Sequence, residues 1–257
     1  LAQIPAVIVP SSLYEALEQL PVSCHWAIQR ATVDDDGATI AAAILTGEAV
    51  AVSDGSLRYT LGTAAYVVEG PDSNHRLIGF NRVPEPVREG DSHRCELSGL
   101  YAIVTIINCL CRYHRVSHGS ITIACDSTGA LKPGAEDFLP KRNQKNLDLL
   151  QALWKSLQDS PISWKFQHVY GHQDRKQKDS HRRLANLNCE MDALAKRHWA
   201  YIFARVQLTP GPHISIHNEG WTIWQNSTKI VSPDSKSLYA LISDPITKSW
   251  WVQIGRA

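Results

Sequence analysis

Four carboxylates in this chain close or open apolar segments, and their chemistry is the first thing to consider. Asp54 ends the run AVAVSDGS over residues 49–56. Small and β-branched residues stopped by Asp-Gly read as a buried strand breaking at a turn. The pleat then puts Val50, Val52 and Asp54 on one face. Asp126 ends IACDSTGAL in the same manner, on the face of Thr122 and Ala124. Glu96 lies in the first turns of an apolar helix, HRCELSGLYAI, and Asp192 lies in NLNCEMDALAK, one helical turn after Asn188. Each acid alone has an ordinary reading: Asp54 starts a turn, Glu96 is a helix N-terminal charge, Asp192 is a surface residue. Gathered together they would repel one another and raise their own pKa values. Hard divalent cations resolve that repulsion, and carboxylate oxygens suit magnesium. Two such ions about 4 Å apart clamp the attacking water and the leaving oxygen of an in-line phosphoryl displacement.

The elements that must position these acids follow from periodicity. After the strand at 49–56, residues 62–69 (GTAAYVVE) and 76–83 (RLIGFNRV) read as two more strands, joined through Gly70-Pro71-Asp72-Ser73-Asn74 into an antiparallel meander. A helix runs from about 93 to 114 with Leu97, Leu100, Tyr101, Val104, Ile107 and Cys111 as its core stripe. Residues 120–126 form a fourth strand, 147–158 a helix, 164–170 a fifth strand, and 184–204 a last helix with stripe Leu187, Met191, Leu194, His198 and Ile202. The order predicts an α/β fold: a mixed five-stranded sheet, three antiparallel strands then parallel ones, flanked by helices. With strands one and four adjacent, Asp54 and Asp126 emerge at one sheet edge, within reach of Glu96.

Three regions are expected: an N-terminal extension over residues 1–44, a catalytic domain over 45–205, and a small appendage over 206–257. The first holds a short capped helix at 11–20, closed by Pro21, and Asp34-Asp35-Asp36-Gly37, a solvated turn. The last holds a hairpin about Asn226-Ser227, a short helix at 234–242, and Trp221, Trp224, Trp250 and Trp251, which pack the appendage on the main domain.

Among 257 residues, 44% are hydrophobic and 20% charged, with net charge +1, so any attraction to nucleic acid is local rather than global. The six cysteines form no CxxC pair and sit mostly in apolar runs, which suits buried thiols in a reducing intracellular compartment, cytoplasm or nucleus. The longest apolar run, 97–111, is interrupted by Ser98, Thr105 and Asn108, so no membrane partner is expected. The chain starts at Leu1 and its sole methionine is Met191, which suggests release from a longer translation product.

From about Val50 to Trp199 the chain resembles a type 1 ribonuclease H domain of the kind carried by retroelement reverse transcriptases. The resemblance rests on the ordered set Asp54, Glu96, Asp126 and Asp192 with the words around them: DGS, R-x-E-L, D-S, G-H and N-x-x-x-D-x-L-A. It implies that the four acids hold two Mg2+ ions (Mn2+ is the alternative) and that water cleaves the RNA strand of an RNA–DNA hybrid. It assigns His172, in VYGHQD, to proton transfer or product release, a role that a loop histidine near neutral pKa suits. It places Gly55, Ser56, Ser92, His93, Ser127, Thr128 and Asn188 beside the substrate; Ser92 also suits a helix cap. Residues 173–187 are longer than the family's loop, and Arg175 and Lys176 make them either a solvated insertion or a phosphate-gripping loop.

Two other readings compete. Transposase-like enzymes of related fold place a glutamate last, whereas here it comes second. A catalytically silent nucleic-acid-binding module would keep the fold, but all four acids are intact. An upstream reverse transcriptase in the same polyprotein is the expected covalent partner.

Overall fold

The computed structural model describes residues 9–85, 87, 90–141, 144–171, 182–205, 215–219, 222–225 and 228–230. Chain order runs α1 (Leu13–Glu18), α2 (Val22–Ile28), β1 (Thr32–Val33), α3 (Ala38–Thr46), β2 (Ala49–Arg58), β3 (Leu61–Glu69), β4 (Arg76–Arg82) and α4 (Ser92–Tyr113). It continues with β5 (Ser120–Cys125), α5 (Thr128–Leu131), α6 (Leu147–Gln158), β6 (Ser163–His168), α7 (Arg182–Arg205), β7 (Ile223–Gln225) and β8 (Thr228–Ile230).

The main sheet has the order β1-β4-β3-β2-β5-β6. β1, β4, β3 and β2 pair antiparallel, while β2 with β5 and β5 with β6 pair parallel. This is the mixed, helix-flanked sheet of the ribonuclease H-like fold, with one strand more than the five expected. The addition, Thr32–Val33, is a two-residue edge pairing on Ile78 and Leu77, too short for alternation to reveal in sequence. The acids after it, Asp34 and Asp35 exposed as expected of a solvated turn, also accept backbone bonds. Asp34 accepts the Arg76 N–H at 3.0 Å, Asp35 accepts the Thr39 N–H at 3.0 Å, and Asp36 accepts the Leu13 N–H at 3.3 Å.

Helices cover both faces. α7 packs Leu187, Met191 and Ala195 on the face of Val52, Ala65, Val67 and Ala124. α4 packs on the opposite face, against Ala49, Ala51, Ile121 and Ile123. The sequence pattern gave α4 one apolar stripe, yet every residue from Arg94 to Cys111 is buried. By length and composition α4 could even cross a membrane, but its apolar 18-residue window lies wholly inside this fold. The reason is a second layer. Leu13, Leu17, Trp26 and Ile40 from the N-terminal helices, and Leu149 and Leu153 from α6, join the same core. Trp26 stacks on Tyr101 at 5.5 Å, and Asn108, polar in an apolar helix, donates to the Ser156 carbonyl at 2.8 Å.

The C-terminal residues meet this layer through ions. Arg94, 0% exposed, forks onto Asp148 with bonds of 2.9 and 2.7 Å and donates to the Pro84 carbonyl at 2.8 Å. Lys229 of β8 donates to the same Asp148 at 3.2 Å and to Glu219 at 2.7 Å. Burial pushes the Asp148 carboxyl up, but Arg94 and Lys229 outweigh it and hold it well below the usual carboxylate range.

Candidate active site

The pairing of β2 with β5 ends at Val52↔Ala124, and both catalytic candidates lie two residues beyond that last rung. Asp54 and Asp126 therefore stand level at the sheet edge, on the face that α7 covers. Because β5 stops there, the backbone of Gly55 lacks a strand partner on that side. Its N–H donates instead to Glu96 Oε1 at 3.1 Å, which draws the α4 carboxylate round from the opposite face. Gly55 is needed for this approach. A Cβ there would lie 2.6 Å from the Cys95 Cβ and 2.8 Å from Glu96 Oε1. Gly55→Ala is therefore expected to displace Glu96 and lower the affinity of these carboxylates for a hard divalent cation about 10- to 100-fold, read by calorimetric titration.

The four acids are linked electrostatically. Burial, then the charges of Asp126 and Asp192, push the Asp54 carboxyl up to about 8. Burial, then Asp54 and Asp126, push Glu96 well above its ordinary value. Asp54 and Glu96 are only 6% and 7% exposed, whereas Asp126 and Asp192 are half-buried. Asp192 also pairs with Lys196 at 2.7 Å, the residue one turn on, so its charge at the site is partly balanced.

Glu96, Cys125 and Asp126 offer ligand atoms that all lie within 4.8 Å of one another. Cys125 was not anticipated, although it directly precedes Asp126. Its Sγ lies 3.4 Å from Glu96 Oε2, and burial, then the Glu96 charge, push the thiol well up. It stays protonated and donates to Glu96 rather than serving as a soft thiolate ligand. What remains for a metal is carboxylate oxygen, a donor set that fits a hard divalent cation.

The other residues singled out in the sequence take varied places. Asn188 donates to Asp54 Oδ2 at 3.2 Å, so it orients that carboxylate. Ser56 is buried, and Thr128 and Ser92 are exposed. Ser92 does not cap α4; the helix starts at Ser92 after Asp91, without a side-chain cap bond. Ser127 is itself a cap, its Oγ accepting the Ala130 N–H at 3.4 Å. His93 is half-buried against Gly129, and burial lowers its pKa despite Asp91. Gly171 lies against Asp126, where a Cβ would come within 2.6 Å of Oδ2. His172, Arg175 and Lys176 lie outside the described residues. The second half of the expected loop is helical, since α7 starts at Arg182. There Arg183 pairs with Glu69 at 2.9 Å, away from the acids.

No family model and no curated protein matches the sequence. Among solved structures, the chain is similar to the RNase H domain of prototype foamy virus (14% identity, 60% of this chain and 95% of that one, TM-score 0.42). It is similar to LC11-RNase H1, solved in complex with an RNA/DNA hybrid (9% identity, 60% and 99%, TM-score 0.43). RNase H1 from the halophilic archaeon Halobacterium salinarum gives 15% identity over 55% of this chain and 97% of that one, with TM-score 0.34. The fold assignment stands on strand order and register.

Proposed function

We propose that this chain is a metal-dependent ribonuclease H that hydrolyses the RNA strand of RNA–DNA hybrids, as one module of a retroelement polyprotein that also carries a reverse transcriptase. One observation supports the reading above the rest. Carboxylates from two strand ends and a helix meet at a sheet edge, with Asp54 pushed up to about 8 by its burial and its charged neighbours. Such mutual repulsion is stable when a cation shares the oxygens.

In this reading Asp54, Glu96, Asp126 and Asp192 would hold two Mg2+ ions, with Mn2+ as the alternative. Bound there, the metals supply a nucleophilic water near neutral pH and stabilise charge at the phosphoryl group. The protein's own groups hold the geometry. Asn188 fixes the Asp54 carboxylate, and the Gly55 N–H and the Cys125 thiol fix the two oxygens of Glu96. Lys196 holds Asp192. His172 is assigned to proton transfer or product release, and Ser92, His93 and Thr128 to the sugar and backbone of the hybrid.

The test is incubation with an end-labelled hybrid in magnesium or in EDTA. Wild-type protein is expected to shorten the RNA strand only with the metal. Asp126→Asn is expected to lower the rate about 10³-fold, the loss of several kcal/mol of transition-state stabilisation. Hybrid binding with no cleavage in magnesium or manganese would make the chain a silent binding module instead.

A further inference from the structure

Away from the acids, the far end of α7 and the β2–β3 turn carry rings and guanidinium groups in alternation. Phe203 stacks on Trp199 at 4.7 Å and on Tyr59 at 6.1 Å. The Arg58 guanidinium lies 5.3 Å over the Trp199 ring. On the next strip of the helix, Tyr201 has Arg205 at 3.8 Å and Arg30 at 5.8 Å over its ring. Tyr59, Tyr201 and Phe203 are all exposed, Tyr59 by 60%.

Charge on this face is one-sided. Residues 197–205 contain Arg197 and Arg205 but no acid, in a protein whose net charge is only +1. Arg30, Arg58 and Arg205 form no ion pair with any described residue. A second observation points the same way. Tyr59 sits at φ 56°, at a turn position where glycine or asparagine is the relaxed choice. Holding a bulky residue there costs about 1–2 kcal/mol. Folding alone would favour glycine, so the strain reads as the cost of presenting an aromatic ring.

We propose that this face, with Tyr59, Tyr201 and Phe203 as stacking surfaces and Arg30, Arg58 and Arg205 as phosphate contacts, binds single-stranded nucleic acid. Every base offers a π-face, and stacking on exposed rings is tolerant of sequence, while flanking arginines meet the backbone. Four residues of strand separate Asp54 from Arg58, about 13 Å. The face therefore begins at that distance from the acidic edge rather than among the acids. The inference extends the nuclease reading, but strand binding is measured without hydrolysis, so each can fail alone.

The experiment is fluorescence anisotropy of the full chain with labelled single-stranded DNA and RNA of about 12 nucleotides, in EDTA. Both strands are expected to bind with salt dependence. Tyr59→Gly is expected to weaken binding about tenfold, the loss of one stacked base, with the thermal midpoint unchanged or raised because the left-handed strain is removed. The double variant Arg58→Ala/Arg205→Ala is expected to weaken binding and flatten the salt slope by about two contacts. Failure of the wild type to bind either strand, or equal binding by wild type, Tyr59→Gly and the arginine variant, overturns the proposal and leaves the face to a protein partner.

Discussion

Asp54→Asn is expected to stabilise the protein in EDTA and to abolish the hydrolysis proposed above. The ordinary value of this carboxyl is 3.8, and in the fold it is pushed up to about 8. The folded state therefore holds a proton that the unfolded state has released, across the window from about 4 to 8. Stability is full below that window and falls as pH rises through it. At pH 7 the penalty is roughly 4 kcal/mol, shared with the neighbouring acids that contribute to it. In EDTA, the wild-type thermal midpoint should drop by about 8–15 °C between pH 5 and pH 8. Asp54→Asn, which keeps an acceptor for Asn188 and carries no charge, should show a smaller drop, the remainder coming from buried Glu96. Magnesium reverses the order, because the cation favours the ionised form that burial disfavours. The wild type should gain stability and release protons on binding, while the variant gains little and loses about 10³-fold in hydrolysis. A wild-type midpoint that rises from pH 5 to pH 8 in EDTA would sink the electrostatic account of the site.

The second large effect belongs to Arg94, a residue of the R-x-E-L word that the sequence reading left without a role. Arg94→Met removes a fully buried guanidinium that satisfies Asp148, Asn146 and the Pro84 carbonyl. Asp148 would keep Lys229 alone, in surroundings that exclude water. Breaking a buried pair in this way costs about 3–5 kcal/mol, measurable as a fall in the denaturant midpoint. The double variant Arg94→Met/Asp148→Leu should recover part of that loss, since no unpaired carboxylate is left in the interior. Arg94 lies two residues from Glu96, at the start of the helix that delivers it. The single variant should therefore also weaken magnesium binding at temperatures where it remains folded. A single variant as stable as wild type would show that Lys229 suffices for Asp148.

Much of the arrangement was legible from residues alone, for reasons that are local. Strand ends declared themselves because Asp-Gly and Asp-Ser interrupt β-branched runs, and α6 and α7 did so through their 3.6-residue periodicity. The antiparallel-then-parallel order followed from hairpin-length links before β4 and helix-length links after it. The four acids stood out because ionisable groups rarely close apolar segments.

What tertiary structure alone decided depends on neighbours remote in sequence. The all-round burial of α4 from Arg94 to Cys111 needs the N-terminal helices and α6 on its outer side, and no periodicity within the helix announces partners some eighty residues upstream. Cys125 joins the acids because β5 and α4 bring its thiol to Glu96, and Arg94 turns inward because Asp148 and Lys229 meet it there. A sequence states which groups can ionise, donate or pack. Which of them share a low-dielectric space, and so which charges must be balanced together, is settled only when the chain closes on itself.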